Sequence, residues 1–157
     1  MAAGHVGAGV NMALRRSVLE YIGQFDEALD VGTPTYSGGD NEFFSRILAA
    51  GYRIVYDPAA LSWHCHRRTW EELRQTLYGY GVGVYAAWTR SLLQEGELSV
   101  IKIALSWFCK TQFPALIRSL LHRPHRVPLD LLLSELLGCA VGPWAYLSSR
   151  RRLRTTK

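Results

Sequence analysis

Several signals that would assign a function at once are absent from this 157-residue chain. Cysteine is scarce: Cys65, Cys109 and Cys139 form no CxxC pair and leave an odd count, so neither a disulfide framework nor a zinc ribbon is indicated, and a reducing setting is the simplest expectation. The first ten residues lack a cationic stretch followed by an apolar core, so no secretory signal is expected there. Gly7-Ala8-Gly9-Val10-Asn11-Met12 starts like a dinucleotide fingerprint, but Met12 stands where the third glycine belongs, and a Rossmann site is rejected. The apolar stretches 100–121 and 129–147 are interrupted by Lys102, Lys110, Pro114, Asp130, Glu135 and Gly142-Pro143, so neither reads as an uninterrupted transmembrane run of about 20 residues.

What is present is enough for a core. Hydrophobic residues make up 48% and charged residues 20%, with a net charge of +5 concentrated at Arg150, Arg151, Arg152, Arg154 and Lys157. That terminal cluster suits an anionic membrane surface, and no nucleic-acid partner is expected.

Residues 6–14 read as a buried strand leading into a short helix capped by Ser17 and stopped at Gly23. Residues 30–40 are rich in turn formers and deliver Asp40 to the start of a helix whose buried stripe is Phe43, Phe44, Ile47 and Leu48, ended by Gly51. Segments 52–56 and 59–64 read as two extended strands around Asp57-Pro58, giving an α/β pattern. Thr69 and Glu72 have capping-box spacing ahead of a long helix in which Gly79, Gly81 and Gly83 imply a kink or close backbone approach. Pro114 should bend the following apolar segment, and Gly142-Pro143 should break the last one.

Three groups could carry chemistry. Asp40, at a helix start, faces unpaired N–H groups and the positive end of the dipole, which favour its ionised form; it is either a base or simply an N-cap. His64 and His66 are two apart and share a face if the strand continues, which suits a metal ligand pair, or a solvated strand end. Arg67 and Arg68 carry forked donors that match a diphosphate, or are merely solvated. Asp26 and Glu27 read more readily as a turn cap than as an acid/base pair.

The order of motifs Gly9-Val10-Asn11-Met12-Ala13-Leu14-Arg15-Arg16, Ile22-Gly23-Gln24-Phe25-Asp26-Glu27, Gly39-Asp40-Asn41-Glu42 with Arg46, Gly51-Tyr52-Arg53-Ile54, Tyr56-Asp57-Pro58 and His64-Cys65-His66-Arg67 resembles the second half of family 2 glycosyltransferases. The resemblance covers residues 4–90. It implies a GT-A α/β fold and inverting transfer from a nucleoside-diphosphate sugar to an acceptor hydroxyl of an unknown glycan, lipid or protein. It places the catalytic base on Asp40, with Gly39 where the family usually has Glu. It puts the metal-holding histidine on His64, alternatively His66, and Glu42, Arg67 and Arg68 on the substrate side. The implied cofactor is Mg²⁺ or Mn²⁺, with its other ligands in a donor-binding half that this sequence does not contain. On this reading residues 1–93 are the acceptor-side half, inactive alone, and residues 94–157 are an amphipathic extension at the cytoplasmic face of a membrane. The alternative is a non-catalytic membrane-associated adaptor or split subunit.

Overall fold

A computed structural model of the chain describes residues 9–65, 67–124 and 126–156. Within them it is helical throughout: α1 (Arg16–Ile22), α2 (Gly39–Ala49), α3 (Trp70–Glu95), α4 (Ser99–Trp107), a π-helical turn (Phe108–Gln112), α5 (Phe113–Leu120) and α6 (Leu129–Thr156). No strand occurs among the described residues, and this overturns the expected α/β, GT-A-like architecture. The physical reason lies in the two segments expected to be strands. An extended backbone needs a neighbour to take its N–H and C=O groups. Around residues 57–61 the backbone bonds are local turns instead, Ala60 N to Asp57 O at 3.2 Å and Leu61 N to Ala59 O at 3.0 Å. The apolar side chains that suggested burial, Val55, Tyr56, Leu61 and Trp63, are almost wholly exposed. Residues 9–15, the described part of the other expected strand, are irregular, and the remainder lies outside the described residues.

The helices follow their local signals more closely. α1 is capped by Arg15, with Ser17 inside the helix, and stops at Gly23, whose φ of 81° favours glycine. α2 buries Phe43, Phe44 and Ile47 against Val18 of α1, with Leu48 partly buried beside them. α3 opens on the expected capping box between Thr69 and Glu72.

Its glycines serve close approach. α6 runs parallel to α3, as shown by contacts from Trp70 with Asp130 to Gln94 with Tyr146. A Cβ on Gly81 would lie 2.3 Å from the Glu135 carbonyl oxygen, and one on Gly138 would lie 2.2 Å from that of Tyr78. Gly142 fits against Val82 and Ala86 in the same way, so Gly138 and Gly142, four residues apart, let the two backbones touch. This packing carries α6 straight through Pro143, where a break was expected. Gly138→Ala is therefore expected to lower unfolding stability by about 2 kcal/mol, through backbone displacement in a tight interface. Urea denaturation followed by circular dichroism measures it.

Pro114 is accommodated differently. It cannot donate to the carbonyl four residues back, and the chain widens into the π turn, with Phe113 N bonding to Phe108 O. Helical structure is thus continuous over Ser99–Leu120, and this segment returns antiparallel along α3, seating Trp107 against the rings of Tyr85 and Trp88.

Candidate functional site

The site is organised by the loop between α1 and α2. Thr35, fully buried, accepts from Asp30 N at 2.9 Å and bonds the Thr33 hydroxyl at 2.7 Å, which folds the loop on itself. Asp30 and Tyr36 have φ of 102° and 61°, a region that strains any side-chain-bearing residue. Gly38 closes the loop at φ 106°, where a Cβ would meet the Gly83 carbonyl oxygen at 2.4 Å, so only glycine fits.

Asp40 follows as the second residue of α2, with Gly38 as the N-cap. The cap position itself is thus Gly38, and Asp40 lies two residues further on. Its Oδ2 accepts from Gly9 N at 3.0 Å and its Oδ1 from Asn41 N at 2.8 Å, and the carboxylate is half-buried in the first turn, at the positive end of the helix dipole.

Segment 9–11 links this acid to the histidine loop. Gly9 lies on Asp40, and the Asn11 amide donates to Ala60 O at 2.9 Å. His64 is exposed on the irregular run that follows; His66 lies outside the described residues. Among the described residues no three His, Cys, Asp or Glu side chains gather into a metal site. A lone described imidazole does not hold Mg²⁺ or Mn²⁺, and no step below runs through a metal.

Arg67 and Arg68 are exposed ahead of α3. The backbone N–H groups of Arg68 and Thr69 both donate to Glu72, and these bonds hold the Glu72 carboxyl below the usual range. Arg67 borders a cleft of about 550 Å³ between the Tyr36 loop, the first half of α3 and Ser134 of α6.

Glu42 faces the other way. Its side chain is fully buried, gripped by Arg46 in two bonds of 2.5 and 2.9 Å and by Arg90 at 2.8 Å. Arg46 also donates to the carbonyls of Ile22 and Gln24, at 2.7 and 2.8 Å. Arg90 reaches Asp26 at 3.3 Å, and the Tyr146 hydroxyl donates to the same carboxylate at 3.1 Å. Burial opposes the Arg90 charge, but Glu42, Glu95 and Asp26 outweigh it and push its pKa up. This network joins α2, α3 and α6, and Glu42, expected on the substrate side, lies buried within it. Sequence reasoning missed Arg90, 48 residues from Glu42 with no local pattern linking them. Gly138-x-x-x-Gly142 was a readable signal of helix contact.

No protein-family model matches the chain, and no solved structure does. One curated protein does, Probable glycosyltransferase YdaM of Bacillus subtilis (strain 168), at 33% identity over 63 residues. The similarity is to a glycosyltransferase. It covers 40% of this chain and 13% of that protein, so the chain shares only a short part of the relative's length.

Two helical stretches, Ser99–Leu120 and Leu129–Thr155, are long and apolar enough to cross a membrane. In the first, the buried face carries Gln112 and Ser119, and Gln112 donates to Glu135 at 2.9 Å. The exposed face carries Ile101, Leu105, Phe108, Phe113 and Ile117. Lys102, Lys110 and Arg118 share that exposed surface and Val100 is buried with the polar pair, so the outer surface is amphipathic, apolar with cationic residues among it.

Proposed function

We propose that this chain is the acceptor-side part of an inverting, family 2 type glycosyltransferase working at the cytoplasmic face of a membrane. The observation that carries the reading is Asp40: a half-buried carboxylate in the first turn of α2, fixed by the Gly9 N–H and presented by a strained, internally bonded loop. In transfer with inversion the acceptor hydroxyl attacks the anomeric carbon from the face opposite the leaving diphosphate. Asp40 takes the hydroxyl proton as the new C–O bond forms. Arg67 and Arg68 offer forked donors to the departing diphosphate, and Glu42, paired with Arg46 and Arg90, positions α2. His64, alternatively His66, would add one ligand to the donor's Mg²⁺ or Mn²⁺, whose other ligands would come from the donor-binding part.

Because the sequence has no Asp-x-Asp, the nucleotide side of the reaction falls to a separate donor-binding part. The test is a transfer assay of the chain alone and fused to such a part, with uridine and guanosine diphosphate sugars. The chain alone should be inactive, and the fusion should give product of inverted anomeric configuration. Retention of configuration, or no turnover in any fusion, overturns the reading.

The outward apolar face of α4 and α5 favours membrane contact, and the packing argues for lying on the surface. α6 is fixed along α3, which carries Glu71, Glu72 and Arg74 at one end and Arg90 at the other. Crossing the bilayer would also carry in the α6 carboxylates Asp130 and Glu135, and a carboxylate at the centre costs about 2.5 kcal/mol or more. Co-sedimentation should therefore rise with anionic lipid and fall with salt, to which the arginines from Arg151 contribute. Extraction only by detergent, at any salt, would show spanning. Absence from every vesicle would end the membrane reading. An adaptor role rests on this same face, and transfer by the fusion decides against it.

A further inference from the structure

The cleft beside the Tyr36 loop is touched by the chemistry described so far only at Arg67, on its border. Three tyrosines line it: Tyr36, Tyr78 and Tyr80. Tyr36 and Tyr80 are each about half exposed, at 55% and 53%, and the Tyr36 ring meets Tyr78 edge-on at 5.8 Å. Tyr36 is held in place at a cost. Its left-handed backbone is fixed by the bond from Tyr36 N to Thr33 O at 3.2 Å and, one residue on, by the Ser37 hydroxyl donating to Gly79 O at 2.9 Å. Gly79 leaves the space that the ring's base needs, since a Cβ there would stand 3.2 Å from the Tyr36 Cβ. An aromatic residue kept strained and half exposed by its surroundings is a candidate ligand contact.

The charges in the cleft balance. Arg67 and Arg74 line it, but so does Glu72, and Arg74 is paired with Glu71, which also accepts from Gln75 at 2.9 Å. An anion would gain little there. Gln75, Thr76 and Ser134 add side chains that can donate or accept. Exposed aromatic faces among balanced hydrogen-bonding groups match a ring with apolar C–H faces and a rim of hydroxyls. The loop that sets Tyr36 also leads, four residues on, to Asp40, which does not itself line the cleft.

We infer that this cleft is an acceptor subsite for a neutral, hydroxyl-rich saccharide, stacked on Tyr36 and Tyr80. The inference rests on the glycosyltransferase reading for the word acceptor, but saccharide binding is measurable without transfer. The full chain in detergent is titrated with maltotriose, cellotriose and chitotriose, and with trigalacturonic acid and inorganic phosphate as anionic probes. At least one neutral trisaccharide should bind and outcompete both anionic probes. Tyr80→Ala should weaken it about fivefold, as expected for loss of one aromatic platform, while Tyr80→Phe keeps it. Tighter binding of either anionic probe, no binding of any neutral trisaccharide, or indifference to Tyr80→Ala in a protein of unchanged helicity would overturn the assignment.

Discussion

Asp40→Asn is expected to lower sugar transfer by about a hundredfold or more in the fused, active enzyme, the usual cost of removing a general base. Asparagine keeps the size of aspartate, and its side-chain oxygen can still accept the Gly9 N–H that now reaches Oδ2 at 3.0 Å. Fold and donor binding should therefore persist while the proton acceptor is lost. Steady-state kinetics checks this: kcat should fall with KM for the donor nearly constant. Retained turnover would remove Asp40 from the role, and a matching loss of donor affinity would point to a structural effect instead.

Glu42→Ala should be the most damaging single change to stability. It leaves Arg46 and Arg90, whose side chains are 12% and 13% exposed, without the carboxylate between them. Removing one partner of a buried ion pair costs about 3–5 kcal/mol, because the remaining charge stays in a poorly solvated site. Asp26 and Glu95 soften the loss at Arg90, whereas Arg46 falls back on the carbonyls of Ile22 and Gln24. Chemical denaturation should show the drop. A loss below about 1 kcal/mol, the range of exposed pairs, would mean that water reaches the cluster and that it does not anchor α2.

These two acids sit two residues apart and were read together from the sequence, yet the structure gives them opposite surroundings. On a helix, residues two apart point to different sides. Asp40 keeps contact with the loop and segment 9–11, and Glu42 turns into the interior. Local sequence placed both at a helix start but could not say which would be buried.

Where the information was local, sequence alone determined the outcome. The capping box of Thr69 and Glu72, the left-handed stops at Gly23 and Gly51 and the apolar stripe of α2 are each set by a few neighbouring residues. Tertiary structure alone decided what depends on a partner. Segments 52–56 and 59–64 have strand-like composition, but a strand exists only when another backbone lies beside it, and none does among the described residues. Pro143 looked like a break, and α3 packing on Gly138 and Gly142 holds the helix through it. Arg90 became the partner of Glu42 because α3 lies under α2, a relation between distant segments that no local pattern encodes.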